Sequence, residues 1–366
     1  MVWVNHSAAQ YIGDASISGA VIDSVSGMPL LGAHVFLSGT SIGTSTDPAG
    51  TFSLEQLPHG IHTLTVSIIG YGRYSEEIHL TSGEEKELRV RLKPVVYDLG
   101  ELYVGNLDDR WERYLERFQR LFIGESKMAD SVEILNPEVL RFESRWWGRF
   151  SAEALAPLQI ENRATGYRIT YHLDEFRHSG AITRWDGDSF FTPLGTEDSL
   201  QVAVWEEQRE RTFNGSLRHF LLSLKYDILE SQQFSIYQEQ RHSFGTPAAN
   251  RRMAPVRNIV RPADEDGHIN VRFFGKLEIV YSGEGEEDRY LQWANKIRGP
   301  SSVQRSYLKL EQRPITIDPN GEIVETYGAT RMGYLAFRRF AEALPKEYQP
   351  EEFKKATENH DITSSE

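Results

Sequence analysis

Between Ser16 and Lys93 the chain is a succession of short, alternating or β-branched runs punctuated by Gly, Pro and Asp, and this pattern constrains the fold most tightly. The runs are Ile17–Asp23, Ala33–Ser38, Ser41–Thr46, Thr51–Leu57, His62–Ile69, Tyr74–Leu80 and Lys86–Leu92. Seven strands at this spacing predict a β-sandwich. The breakers have defined tasks. In Asp47-Pro48-Ala49-Gly50, Asp opens a turn, Pro presets φ and Gly closes it before alternation resumes at Thr51; Leu57-Pro58-His59-Gly60 repeats the device. In the last run Leu88, Val90 and Leu92 share one face, while Glu87, Arg89, Arg91 and Lys93 share the other, as in a strand with one wet side.

Several segments carry a family resemblance: Ile17-Ser18-Gly19-Ala20-Val21-Ile22-Asp23, Gly27-Met28-Pro29-Leu30-Leu31-Gly32-Ala33-His34-Val35, Gly43-Thr44-Ser45-Thr46-Asp47-Pro48-Ala49-Gly50-Thr51-Phe52 and Leu64-Thr65-Val66-Ser67-Ile68-Ile69-Gly70-Tyr71. Over residues 15–93 the chain resembles a carboxypeptidase regulatory-like domain. That resemblance implies a transthyretin-like seven-stranded sandwich of the kind found in Gram-negative envelope proteins and at the start of TonB-dependent receptors. It implies no activity, because fold alone does not specify function. Val95–Asn106 is similar to the link before a receptor plug, but the 260 residues after Asn106 are too few for a plug and a barrel.

Residues 94–107 read as a linker, 108–345 as an α+β domain with a mainly antiparallel sheet, and 346–366 as a flexible tail. Trp111, Tyr114, Leu115, Phe118, Leu121 and Phe122 form one helical stripe after Asp108-Asp109 and before Gly124. A second helical stretch, Ser199 to Glu230, breaks near Asn214-Gly215, where Asn214 or Ser216 can cap its second half. A third is expected over Arg331–Ala343. Strands are expected at Tyr167–Leu173, Ala181–Trp185, Phe234–Glu239, Ile269–Tyr281 and Tyr307–Ile317, with a hairpin across Asp318-Pro319-Asn320-Gly321. The segments at residues 136–142, 160–169 and 214–221 resemble an uncharacterised region that follows regulatory-like domains in bacterial envelope proteins.

Composition narrows the function. The chain has 40 Lys+Arg against 53 Asp+Glu, a net charge of −13, so a clustered basic surface for nucleic acid is not expected. Residues 1–105 are acidic because they are poor in bases, whereas the remainder is rich in both signs. Zero Cys excludes disulfides, thiolate metal sites and a Cys nucleophile in this sequence. No 18-residue apolar window predicts a transmembrane helix. Ser7, Ala8 and Ala9 before Gln10 resemble the end of a signal peptide whose basic and apolar parts are not present, leaving an upstream start or a cytoplasmic chain. The family resemblance favours a periplasmic or outer-membrane location.

No residues of this sequence are assigned to catalysis, metal binding or a cofactor. His172 and Glu175 have a zinc-like spacing, yet on a strand positions i and i+3 point to opposite faces. Asp186/Asp188 and Asp264/Glu265/Asp266 flank glycines and read as turn residues rather than paired catalytic carboxylates. Trp146 and Trp147 between Arg145 and Arg149 can stack on a glycan or an aromatic partner, or sit at a membrane interface; the competing reading is one Trp in the core and one over a loop. Arg209, Arg218 and His219 can form an anion site or serve as salt-bridged structure. The resulting expectation is a non-enzymatic envelope protein, its sandwich a docking module and its larger domain the binder of a protein or glycan. The alternatives are a peptide or glycan hydrolase assembled only in three dimensions, and an assembly protein adding a strand at a sandwich edge.

Overall fold

The computed structural model describes residues 13–95, 109–145, 148–239, 251–263 and 267–358. All seven expected N-terminal strands form: β1 (Ala15–Asp23), β2 (His34–Leu37), β3 (Gly43–Ser45), β4 (Thr51–Leu57), β5 (Gly60–Ser67), β6 (Tyr74–Leu80) and β7 (Glu85–Leu92). They make two sheets, ordered β4-β1-β7 and β3-β2-β5-β6. Every pairing is antiparallel except β1 with β7. Alternation places Ile17, Val21, Val35, Leu37, Leu54, Leu64, Val66, Ile78, Val90 and Leu92 between the sheets, all nearly fully buried.

The chain resumes with α1 (Asp109–Phe122), followed by β8 (Val132–Ile134), β9 (Leu140–Ser144), β10 (Phe150–Ala154), β11 (Leu158–Asn162), β12 (Tyr167–Ser179) and β13 (Ile182–Pro193). These six strands form an antiparallel sheet, ordered β8-β11-β12-β10-β9 with β13 on β12. The helical stripe read from sequence packs on it: Phe118 and Phe122 are fully buried against Tyr171, Phe176 and Phe340.

Next come α2 (Ser199–Phe213) and α3 (Leu217–Lys225), separated at the expected break, with the Ser216 hydroxyl accepting from the His219 amide. The strands that follow are β14 (Phe234–Glu239), β15 (Arg251–Met253), β16 (Val260–Pro262), β17 (Ile269–Val271) and β18 (Leu277–Tyr281). After α4 (Asp288–Trp293) the chain forms β19 (Gln304–Leu310), β20 (Ile315–Ile317), β21 (Ala329–Gly333), α5 (Tyr334–Phe337) and α6 (Glu351–Thr357). A five-stranded sheet, β15-β14-β18-β19-β21, and a three-stranded one, β16-β17-β20, share a core with α3. Among the described residues, no helix is long and apolar enough to cross a membrane.

Three expectations change. Ile269–Tyr281 is two strands in different sheets, and so is Tyr307–Ile317. Arg331–Ala343 is not one helix. Its start belongs to β21, whose backbone pairs with β19 from Leu310↔Ala329 to Ser306↔Gly333, and only Tyr334–Phe337 and a 3-10 turn at Phe340–Glu342 are helical. The reading of a flexible tail from 346 gives way at its start, because Tyr348 and Phe353 bury themselves with Phe213, Leu222 and Ile228. Residues 359–366 lie outside the described residues.

Candidate functional site

The sandwich is fastened to the rest of the chain through the outer face of its larger sheet. His34 and Phe36 point away from the sandwich core, and Phe190 meets both, with ring centroids 4.4 and 5.4 Å away. His172 stacks on Phe36 at 5.9 Å. Around this aromatic seam, Arg73 holds Asp174 through two contacts of 2.5 and 2.6 Å and approaches Asp188 at 3.5 Å. The β2–β3 turn enters the neighbouring strand: Gly39 donates to the Ser189 carbonyl at 2.7 Å, and Phe191 donates to the Thr40 carbonyl at 2.9 Å. Burial and Arg73 together push the His172 imidazole down to about 4, so it sits in the seam neutral.

Beside this seam lies a cavity of about 320 Å³ lined by segments far apart in sequence. Gly39 comes from the sandwich, Trp185, Ser189 and Phe191 from β13, Arg218 from α3, and Glu322, Arg331, Arg339, Glu342 and Lys346 from the C-terminal segments. Four cations thus face two carboxylates. Gly39 is in the left-handed region at φ +82°, and a Cβ there would stand 2.6 Å from the Lys346 Cε, so the absence of a side chain lets the lysine stem cross the turn. Lys346 is also tied down by its amide, which donates to the Gly39 carbonyl at 2.8 Å.

The charged groups fall into two kinds. Some are fully engaged: Arg218 donates to the Pro345 and Tyr348 carbonyls, both at 2.8 Å, and Glu342 accepts from the Ser126 hydroxyl and, at 2.9 Å, from the Arg339 amide. Others are not. Among the described residues, the side chains of Glu322, Arg331 and Lys346 make no hydrogen bond or ion pair. Burial lowers the Arg331 pKa and raises that of Glu322, and both side chains line the cavity, Arg331 from an exposed position. Arg339 is brought down to about 10, first by burial and then by the like charge of Arg331. Both guanidiniums lie over Trp185, at 5.5 and 6.0 Å from its ring centroid.

Of the candidate site residues that are described, only Arg218 reaches this cavity. Arg209 donates to the Thr165 carbonyl at 2.7 Å and stacks over Tyr167. His219 is buried, its Nδ1 accepting from the Gly215 amide and its Nε2 facing Gln232 Oε1, each at 3.0 Å; burial brings its pKa to about 4. Arg209, Arg218 and His219 therefore do not converge on an anion, because each satisfies a different piece of backbone or side chain. Arg145 and Arg149 bracket the tight β9–β10 turn, where the Arg145 amide donates to the Arg149 carbonyl at 2.9 Å. Trp146, Trp147 and residues 264–266 lie outside the described residues.

His172 and Glu175 require a correction of their own. A bulge between Leu173 and Glu175 re-phases the strand, so Tyr171 and Phe176, five apart, both enter the core while His172 and Glu175 share the other face. Their partners still differ: His172 packs on Phe36, whereas Glu175 accepts from the Tyr327 hydroxyl at 2.8 Å. Asp188 belongs to the Arg73 contact and Asp186 caps the Gly187 amide. Two carboxylates, Glu322 and Glu342, do line the cavity, and both Glu342 oxygens already accept, from the Ser126 hydroxyl and the Arg339 amide.

Two sheets in the orders described, closed by a parallel first and last strand, define a transthyretin-like sandwich built into a larger α+β body. Residues 17–104 match the family model described as CarboxypepD_reg-like domain, and the N-terminal unit is a domain of that family. A search of curated proteins finds no match. Among solved structures, a group B streptococcus pilus 2b backbone protein overlaps 22% of this chain and 41% of its own, at 16% identity and TM-score 0.20. A Klebsiella pneumoniae 5-hydroxyisourate hydrolase overlaps 22% and 92%, at 19% identity and TM-score 0.20. A putative carbohydrate binding protein from Bacteroides uniformis overlaps 50% and 80%, at 9% identity and TM-score 0.20. The chain spans less than half of the pilus protein.

Proposed function

We propose that this is a non-enzymatic protein of the Gram-negative envelope, periplasmic or outer-membrane associated, that works by binding. The sandwich presents a docking end to a protein partner, and the body behind it carries a ligand cavity. The regulatory-like domain supports the location. The observation that carries the docking role is the distribution of exposed apolar side chains on the sandwich. Val25, Met28 and Leu31 on the β1–β2 loop are 81, 64 and 61% exposed, and Ile69 on the β5–β6 loop is 97% exposed. The two loops are joined by the Tyr71 hydroxyl, which donates to Asp23 Oδ2 at 2.8 Å, so the four residues crown one end of the sandwich. A local cluster of this kind suits a protein partner better than a glycan, which needs more directed polar contacts.

Cell fractionation tests the reading. The chain is expected with the envelope, and the double substitution Met28→Glu with Ile69→Glu is expected to release it while leaving the thermal melt unchanged. An exclusively cytoplasmic protein would overturn the location; an unaffected double variant would overturn the docking end.

A further inference from the structure

We propose that the junction cavity binds a small oxyanion, a carboxylate, phosphate or sulfate group on a ligand no larger than a monosaccharide, held between the Arg331–Arg339 pair on one side and Lys346 on the other. The inference goes beyond the docking role and is independent of whether the apolar end finds its partner.

Three features of the cavity converge on this ligand class. The first is charge: Arg218, Arg331, Arg339 and Lys346 outnumber Glu322 and Glu342 among the lining side chains. The second is that the excess is unpaired. Charges drawn partly out of bulk water into a shared cavity are costly when like charges crowd together, and proteins normally give them counter-ions and hydrogen bonds. Here Arg331 and Lys346 make no ion pair although Glu322 is close enough to affect the pKa values of Arg331 and Arg218. The charges surround a space without closing across it. The third is that two guanidiniums both pack against the Trp185 ring in spite of their repulsion. An oxyanion relieves that repulsion and can accept from both planar groups at once, the geometry for which arginine is best suited.

The volume is at the lower end of small-molecule sites, which sets the size limit on the ligand. The walls come from parts of the chain far apart in sequence. Gly39 admits the Lys346 stem, β13 supplies Trp185, and β21 supplies Arg331, so the site exists only when the sandwich is seated against the body. Residues engaged elsewhere, such as Arg218 and Glu342, act as the rigid frame.

Isothermal titration calorimetry and thermal melts of the full chain at low ionic strength provide the test, with inorganic phosphate and glucuronate as probes and glucose as the neutral control. Phosphate, glucuronate or both should bind and raise the melting temperature; glucose should do neither. Whichever anion binds identifies the headgroup, phosphoryl or sugar acid. Arg331→Met and Lys346→Met should each weaken binding about tenfold or more, the loss expected for one charge-assisted contact. Without anion, Arg331→Met should melt at the same temperature or higher, since it removes an unpaired cation. Failure of both anions to bind at millimolar concentration would overturn the proposal. So would an equal rise in melting temperature in the wild type and both variants, which marks general salt stabilisation. Neither of these failures bears on fractionation with the envelope.

Discussion

The two sheets of the sandwich are built from the same kind of alternating strands yet live in different surroundings. The β4-β1-β7 sheet turns Ser18, Thr51, Ser53, Glu55, Glu87, Arg89 and Arg91 to water. The β3-β2-β5-β6 sheet turns His34, Phe36 and Thr65 toward β12 and β13, and Phe36 and Thr65 are fully buried there. The first sheet is amphipathic in the ordinary way; the second is an interior layer along its central strands β2 and β5, with contacts on both sides, while β3 and β6 stay largely exposed. A regulatory-like module can thus be an integral layer of a larger fold and not merely a bead on a linker.

The contrast can be broken most severely at Phe36. Phe36→Ala should cost about 3–5 kcal/mol, as for any large aromatic lost from a closed core, and urea denaturation should show the loss. Acidification attacks the same layer at His172 and the body behind it at His219. His172 and His219 are each near 4 in the fold and near the ordinary 6.5 when unfolded, so the unfolded chain binds more protons between these values. Stability is therefore complete above about pH 6.5 and falls as pH drops toward 4, by at most roughly 3 kcal/mol for each imidazole. Melts from pH 4 to 8 should show this, and His172→Phe should flatten the curve relative to wild type. Arg73→Ala should cost about 1 kcal/mol, because its contacts to Asp174 and Asp188 are partly open to water; a double-mutant cycle with Asp174→Ala isolates the pair. On the wet sheet, Arg91→Ser should change stability by less than about 0.5 kcal/mol in the same denaturation assay.

The sandwich was legible because each strand carries its own alternation and its own turn chemistry, as at Asp47, whose Oδ1 accepts from the Ala49 and Thr51 amides. What alternation does not reveal is what lies beyond the strand: nothing in the run Ala33–Ser38 says that His34 and Phe36 meet β12 and β13. The α1 stripe and the Asn214–Ser216 break were equally local and equally visible. Residues 331–343 misled because nothing local shows that the start of this segment pairs with β19, and long-range pairing prevailed. The cavity was legible only at Arg218. Glu322 sits in a turn that reads as a hairpin, Lys346 in a stretch that reads as tail, and their convergence depends on a seam between segments some 300 residues apart in sequence.

The parallel pairing of β1 with β7 has a mechanical consequence. These are the first and last strands of the sandwich, and they lie side by side in register from Ser16↔Glu85 to Asp23↔Leu92. Tension between the start of β1 and the end of β7 pulls the two strands lengthwise past each other, so their hydrogen bonds bear the load together instead of opening one at a time. Under such a pull the sandwich acts as a clamp that yields late.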